Sequence, residues 1–510
     1  MKQDKFTNRY IIKIGSSIVV AVLNMVIQML LPRALATTEE FGFFTFNMNT
    51  FTALVVLANL SASNAMVSKF SKRNEEIGIL RFYLKFYGII ALILNVGIIA
   101  LYPWKRVQEA LGFQALYTVI LALDAYIINK LLSDVISMYD ASAISRFPAL
   151  MQIVIKIGMS ALVVCGYVFA FLNLPVFYVF MIAVTGGVIV VLLVALFRDN
   201  KERYPQQLDK GWKEYAKEYF EFCRPLVVAT IVAQLVVILM NYTLLRFSGA
   251  KETAMFGAAW QLNALVGYVF VPYAELMKRE YASVVTEVQK LKERFHQSLQ
   301  LMGWLTSYFA IFIACFSKWM LPIVYGNKYA NAILVTRIIM YYTVFQALGQ
   351  VTGSFLIATE RTRAQAILTI VGQALTLGCM FLFQVPNFLW PKTLGANGIA
   401  LNYLVVNVIN VTIMIAYIAH CVGLSKVREN LMYCVPILFT SLYAIVLEKC
   451  MGWLIPGDGM LIWILRVFVG GILYTVLVGG TIYLRPDFVG VTREAIQQKM
   501  QALYKKFKRN

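Results

Sequence analysis

Acidic charge is scarce in this 510-residue chain: 26 Asp and Glu stand against 46 Lys and Arg, and charged residues of both signs make up 14%. Soluble domains carry about 25%. With 60% of the residues hydrophobic, a soluble chain would lack the polar groups to cover its core, so lipid must solvate most of it. That excludes a cytosolic enzyme, a secreted disulfide scaffold and a disordered protein. Histidine is rarer still, with His296 and His420 alone, and the seven cysteines (Cys165, Cys223, Cys315, Cys379, Cys421, Cys434 and Cys450) form no CxxC pair. Neither a metal cluster nor a disulfide framework is indicated, and no cofactor is expected. Long polar loops are missing too. The longest, about 198–221, has no room for the folded domain or clustered catalytic carboxylates of a membrane glycosyltransferase or polymerase, so the chain reads as a non-enzyme.

What is present is a succession of apolar runs, each near the roughly 20 residues that a spanning helix needs. They fall at about 11–33, 42–68, 82–102, 113–137, 148–171, 175–197, 222–246, 253–275, 296–321, 332–357, 364–385, 396–421, 431–451 and 459–484. The expectation is an all-α polytopic membrane protein with about 14 transmembrane helices. The first run follows a basic segment and ends near Ala34-Leu35-Ala36, like a signal peptide. It is too long for that, and carries Asn24, Gln28 and Arg33, so it reads as a helix.

Basic residues set the orientation. With residue 1 inside, 33 of the 46 Lys and Arg fall in inner segments, 9 in outer ones, and Lys130, Lys156, Arg337 and Arg466 within spans. The asymmetry predicts cytoplasmic termini. It also accounts for the +20 net charge without nucleic acid. Trp104, Trp319, Trp390 and Trp453 sit at the expected outer helix ends, as an interfacial belt requires.

The sequence repeats itself. Glu39-Glu40-Phe41-Gly42 with Ala53-Leu54-Val55 returns as Ala254-Met255-Phe256-Gly257 with Ala264-Leu265-Val266, 215 residues on. The loop Ala141-Ser142-Ala143-Ile144-Ser145-Arg146-Phe147-Pro148-Ala149 returns as Ala358-Thr359-Glu360-Arg361-Thr362-Arg363-Ala364-Gln365-Ala366, 217 residues on. This predicts two parallel six-helix lobes plus two extra C-terminal helices: 1–198 (helices 1–6), a basic cytoplasmic linker 199–221, 222–421 (helices 7–12), 422–484 (helices 13 and 14) and a basic cytoplasmic tail 485–510. Parallel lobes suit a transporter that binds between them.

Polar stripes mark the first two helices of each lobe. Lys13, Ser17, Asn24 and Gln28 share a face at 100° per residue, as do Asn49, Asn59 and Ser63; Thr230, Gln234 and Asn241; and Gln261, Tyr268 and Glu275, with Asn263 nearby. Such stripes avoid lipid, either by bonding between helices or by lining a hydrated cavity; the cavity is the reading adopted. Deeper lie Asp124, a candidate for ion coupling, and Lys130, a candidate cavity residue that stands four residues before Asp134 and can also simply pair with it. Lys156 shares a face with Gln152 and Ser160. It either pairs with Asp124 or Asp134 or faces an anionic substrate. Lys13, Arg33, Arg224 and Arg246 at helix ends are anchors or phosphate contacts.

With the fourteen spans, Glu39-Glu40-Phe41-Gly42, Ala358-Thr359-Glu360-Arg361-Thr362-Arg363 and Leu394-Gly395-Ala396-Asn397-Gly398-Ile399-Ala400, the chain resembles the polysaccharide (Wzx-type) lipid-linked oligosaccharide flippases of the multidrug/oligosaccharidyl-lipid/polysaccharide exporter superfamily. The resemblance implies a bacterial inner-membrane flippase carrying undecaprenyl-pyrophosphate-linked glycans to the outer leaflet, for lipopolysaccharide, O-antigen or capsule. Its implied partners are that lipid-linked oligosaccharide, membrane lipids, a polysaccharide polymerase and glycosyltransferases. Outward movement of an anion runs with an inside-negative potential by about 2.3 kcal/mol per charge per 100 mV, so ion coupling is not required. Alternatives are a peptidoglycan lipid-precursor flippase, whose expected mid-helix arginines helices 1 and 2 lack; a small-molecule exporter; and a non-transporting assembly protein.

Overall fold

In the computed structural model, residues 6–73, 75–142, 144, 146–204, 210–388 and 393–486 are described. They are helical almost throughout, with no strand among them. In chain order come α1 (Phe6–Ala34), α2 (Thr38–Asn59), α3 (Ala62–Lys72), α4 (Gly78–Leu101), α5 (Lys105–Ala110), α6 (Leu116–Ala141), α7 (Arg146–Phe169), α8 (Leu174–Arg203) and α9 (Trp212–Ser283). Then follow α10 (Val288–Tyr325), a 3₁₀ turn (Asn327–Ala332), α11 (Ile333–Ala358), α12 (Thr362–Phe383), α13 (Gly395–Val422), α14 (Lys426–Met432), α15 (Cys434–Leu454) and α16 (Met460–Leu484).

Twelve stretches among the described residues are long and apolar enough to cross a membrane. Two features reconcile these with the fourteen expected spans. α9 contains two spans joined at Gly249, whose backbone (φ 85°, ψ 174°) is non-helical and favours glycine. α6 covers the fourth expected span and, carrying Asp124, Lys130 and Asp134, is not among the twelve. The second expected span is corrected. It is not one helix over 42–68 but α2 and α3, separated by Leu60 (φ 48°) and Ser61 (φ 65°), both left-handed.

Local chemistry explains the Glu39-Glu40 start of α2. Thr37 caps the helix by accepting from the Glu40 N–H at 3.1 Å, and the Glu40 carboxylate accepts from the Ala36 N–H at 3.2 Å. This is close to a capping box, with acid in the first turn facing the positive end of the helix dipole. Phe41 is fully buried.

The chain forms two compact units. One is Met1–Gly257 with Gln384–Asn387 and Pro391–Gly395; the other is Ala258–Phe383 with Phe388–Trp390 and Ala396–Asn510. The repeat divides the sequence at 199–221, whereas packing divides the chain at Gly257. In the first unit α1 packs on α7, and α6 on α2, α3, α4 and α8. In the second, α10 is the central helix, packed by α11, α15 and α16. The start of α9 docks on α4 in the first unit: Phe82 contacts Trp212 and Tyr219 at ring-centroid distances of 4.4 and 4.7 Å. Tyr215 and Tyr219 are therefore buried there, and of this aromatic set Phe220 is left most exposed.

Candidate functional site

The break between α2 and α3 opens onto a cavity of about 320 Å³ lined mostly by polar residues. Asn59, Ser61, Ser63 and Asn64 line it from the break, Lys130 from α6, and Thr230 and Gln234 from α9, with Val56 and Ala233 as its apolar part. Two consecutive left-handed residues that are not glycine cost about 1–2 kcal/mol each. The surrounding bonds hold them. Asn59 Oδ1 accepts from the Ser63 N–H at 3.0 Å, the Asn64 N–H donates to the Ser61 carbonyl at 3.0 Å, and the Ser61 and Thr230 hydroxyls lie 3.0 Å apart. Irregular backbone within a spanning region is tolerated where it lines a polar cavity.

A continuous hydrogen-bond chain leads from the break to an ion pair. Asn59 Nδ2 donates to the Tyr83 hydroxyl at 2.9 Å, and that hydroxyl donates to Asp134 Oδ2 at 2.5 Å. Lys130 Nζ donates to Asp134 Oδ1 from one helical turn away. Asp134 is 3% exposed, so its charge is balanced by this pair rather than by water. Lys130 is both its partner and part of the cavity wall. The site thus offers an ammonium, several amides and hydroxyls, and one engaged carboxylate.

The expected site residues separate into groups. Lys130 and Gln234 meet in the cavity. Asn49 and Asn241 meet each other, Asn49 Nδ2 donating to Asn241 Oδ1 at 3.2 Å, and Asn241 Nδ2 donating to the Val237 carbonyl at 2.8 Å. Asn24 and Gln28 are half-buried on α1, and Gln28 Oε1 has no hydrogen-bond partner among the described residues. In the second unit, Asn263 Oδ1 accepts from the Thr343 hydroxyl at 2.8 Å, and buried Gln261 Oε1 is unpartnered among the described residues. Asp124 accepts from Asn95 Nδ2 at 2.8 Å. Lys156 is half-buried on α7 and pairs with neither Asp124 nor Asp134. Arg246 forms an ion pair with Glu109 at 2.8 Å, Arg33 ends α1, and Arg224 is exposed. The side chains of Lys13 and Glu275, and Trp390, Lys392 and the tail from 487, lie outside the described residues.

Sequence reasoning missed Tyr83, which links Asn59 to Asp134, because a single tyrosine in an apolar span forms no stripe. It also missed a buried network in which Asn47 Nδ2 donates to Gln114 Oε1 at 2.9 Å and to the Tyr178 hydroxyl at 3.2 Å. Asn47 lies in the same amide-bearing stretch as Asn49, which is the one signal available.

No protein-family model and no curated protein matches the sequence. Solved structures do match the fold. A structure of the lipid II flippase MurJ in an inward closed conformation is similar with a TM-score of 0.69 at 12% identity, covering 94% of this chain and 100% of that one. An inward-facing multidrug resistance MATE transporter of the MOP superfamily gives 0.63 at 13%, covering 79% and 94%. A MOP superfamily transporter from Pyrococcus furiosus gives 0.52 at 13%, covering 80% and 96%. The fold is that of these transporters.

Proposed function

We propose that this chain moves undecaprenyl-pyrophosphate-linked oligosaccharides from the inner to the outer leaflet by alternating access of two duplicated lobes. The observation that carries this reading is the Lys130 cavity, a space of about 320 Å³ that polar side chains line between spanning helices. Its amides and hydroxyls suit sugar hydroxyls, its ammonium suits a phosphoryl group, and a polyprenyl tail stays in lipid. A cationic cargo would instead need a free carboxylate, and Asp134 is already engaged by Lys130 and Tyr83. On the basic-residue asymmetry, both termini and the 199–221 linker are cytoplasmic. A polymerase and glycosyltransferases are the partners that would use the product and supply the substrate.

A second reading, a lipid II flippase, has one observation in its favour: MurJ is matched over its whole length, the MATE structure over less of this chain. The absence of mid-helix arginines from α1 and α2 weighs against it. Proteoliposomes holding the purified chain separate the readings when offered an oligosaccharide pyrophosphate lipid, lipid II or a cationic dye. Flipping of the first, slowed at least about tenfold in Lys130→Gln, is expected. Flipping of lipid II alone would favour the second reading, dye transport alone an exporter, and no transport an assembly protein.

A further inference from the structure

A second cavity, of about 550 Å³, lies at the far end of α3, lined by Ser68, Lys69, Lys72, Arg73, Glu218 and Phe222. Its volume is in the range of ligand sites. Glu218, from the start of α9, sits among cations. Arg73 Nη2 donates to its Oε2 at 2.5 Å, Lys69 Nζ lies 3.3 Å from the same oxygen, and Lys210 Nζ lies 2.9 Å from Oε1. A second carboxylate, Glu76, is shared by Arg73 at 3.2 Å and Lys210 at 3.9 Å. Lys72 is exposed and makes no ion pair among the described residues. Among the described residues the cavity wall carries three cations, Lys69, Lys72 and Arg73, against one carboxylate, Glu218. The hydrogen bond from Arg73, with those from Lys210 and Lys69, holds the Glu218 carboxyl down at about 2, so it is ionised throughout the physiological range.

Surplus cations around a carboxylate, with space beside it, form an incomplete anion site. A phosphoryl group offers more acceptor oxygens and more charge than a carboxylate, and guanidinium and ammonium donors bind it through charge-assisted hydrogen bonds. We propose that this cavity is a phosphoryl-binding site, in which Lys69, Lys72 and Arg73 hold the group and Glu218 is the internal anion that competes with it. Ser63 and Asn64 of the Lys130 cavity and Ser68 and Lys69 of this one lie on the same helix, Asn64 and Ser68 about 6 Å apart along its axis at 1.5 Å per residue. Filling one site therefore bears directly on a helix that lines the other. The inference goes beyond the transport reading, and its test measures binding rather than flipping.

The full chain is placed in nanodiscs of phosphatidylcholine alone and titrated with inorganic pyrophosphate by calorimetry. Saturable binding is expected. Lys69→Ala/Arg73→Ala and, separately, Lys72→Ala should weaken it, the double variant by about tenfold or more. Glu218→Gln should tighten it severalfold, because the competing charge is gone while its bonding shape remains. Lys72 is exposed and makes no ion pair among the described residues, so its variant tests the site even where the double variant folds poorly. Repeating the titration with phosphatidylglycerol in the nanodisc separates the sources. Loss of pyrophosphate binding there identifies a lipid headgroup as the occupant; unchanged binding identifies a free or substrate-borne phosphate. No binding under either condition, or binding indifferent to Lys72→Ala and Glu218→Gln, overturns the proposal.

Discussion

Gly42 lies so close to Ala250 that a methyl group on its α-carbon would fall 1.9 Å from the Ala250 carbonyl oxygen. Its counterpart in the repeat, Gly257, stands in the same relation to α2: a methyl there would fall 2.1 Å from Thr45 Oγ1. The two glycines of the repeated motif thus serve one crossing, between α2 and the second part of α9. The motif that marks the repeat in sequence is a packing requirement in space.

Gly42→Ala should therefore cost more than Gly257→Ala. The first drives a methyl into backbone, which cannot rotate away; the second meets a side chain. Overpacking of this kind costs about 1–3 kcal/mol, with Gly42→Ala at or above the top of that range. Thermal denaturation in detergent reads the order, and adding Thr45→Ala should recover part of the Gly257→Ala loss. Equal stability of both single variants would contradict the crossing described.

Lys156 gives a second expectation. Ser160, one turn along α7, donates to the Leu23 carbonyl of α1 at 3.3 Å, so this face of α7 turns towards α1 rather than towards the α6 acids. Asp124 is bonded to Asn95, and Asp134 to Lys130 and Tyr83. Lys156→Ala should then keep its yield, since it leaves no carboxylate unpaired. Transport per folded molecule should fall if the ammonium serves the substrate, and Lys156→Arg should retain much of it. Rescue of transport by Asp124→Asn or Asp134→Asn would show instead that Lys156 neutralises an acid.

The spans were legible because lipid imposes a length and a composition on each, and Gly249 marks the expected joint between the seventh and eighth. The break in the second span was not. Leu60 and Ser61 carry no backbone signal for a left-handed conformation, which bonds from Asn59, Thr230 and their neighbours hold in place. Helical periodicity placed Asn49 and Asn241 on polar faces, but only packing shows that residues 192 apart in sequence bond each other. Lys130 was legible as a partner of Asp134 from spacing alone. Its second surface, facing the cavity, depends on where α3 and α9 lie.

Docking of the linker on α4 should depend on pH through Glu218. Its carboxyl value drops from the usual 4.5 to about 2 in the folded chain, first because Arg73 donates to it, then through Lys210 and Lys69. The stabilisation is complete above about 4.5 and is lost as pH falls through about 2. Hydrogen exchange in the peptide 212–221, corrected for intrinsic rates, should be flat between pH 5 and 8 and rise below that. In Glu218→Gln it should be faster at neutral pH, without the acid rise. An acid rise of equal size in that variant would remove Glu218 as its cause.

The Lys130–Asp134 pair should respond asymmetrically to its two deletions. Lys130→Ala leaves a carboxylate that is 3% exposed with Tyr83 as its remaining donor, and stripping one partner from a buried pair costs about 3–5 kcal/mol. Asp134→Asn leaves an ammonium that lines a polar cavity and can take up water, so it should cost less. Tyr83→Phe removes a donor from Asp134 and an acceptor from Asn59, for about 1–3 kcal/mol. The double variant Lys130→Ala/Asp134→Asn should recover most of the yield lost in Lys130→Ala, because no charge is left buried alone. It should not recover flipping, because the cation that would meet the phosphoryl group is gone. Purification yield and thermal midpoint report the first effect, and flipping per folded molecule reports the second. A double variant that transports like the unaltered chain would make the pair a structural brace and leave the cavity without its cation.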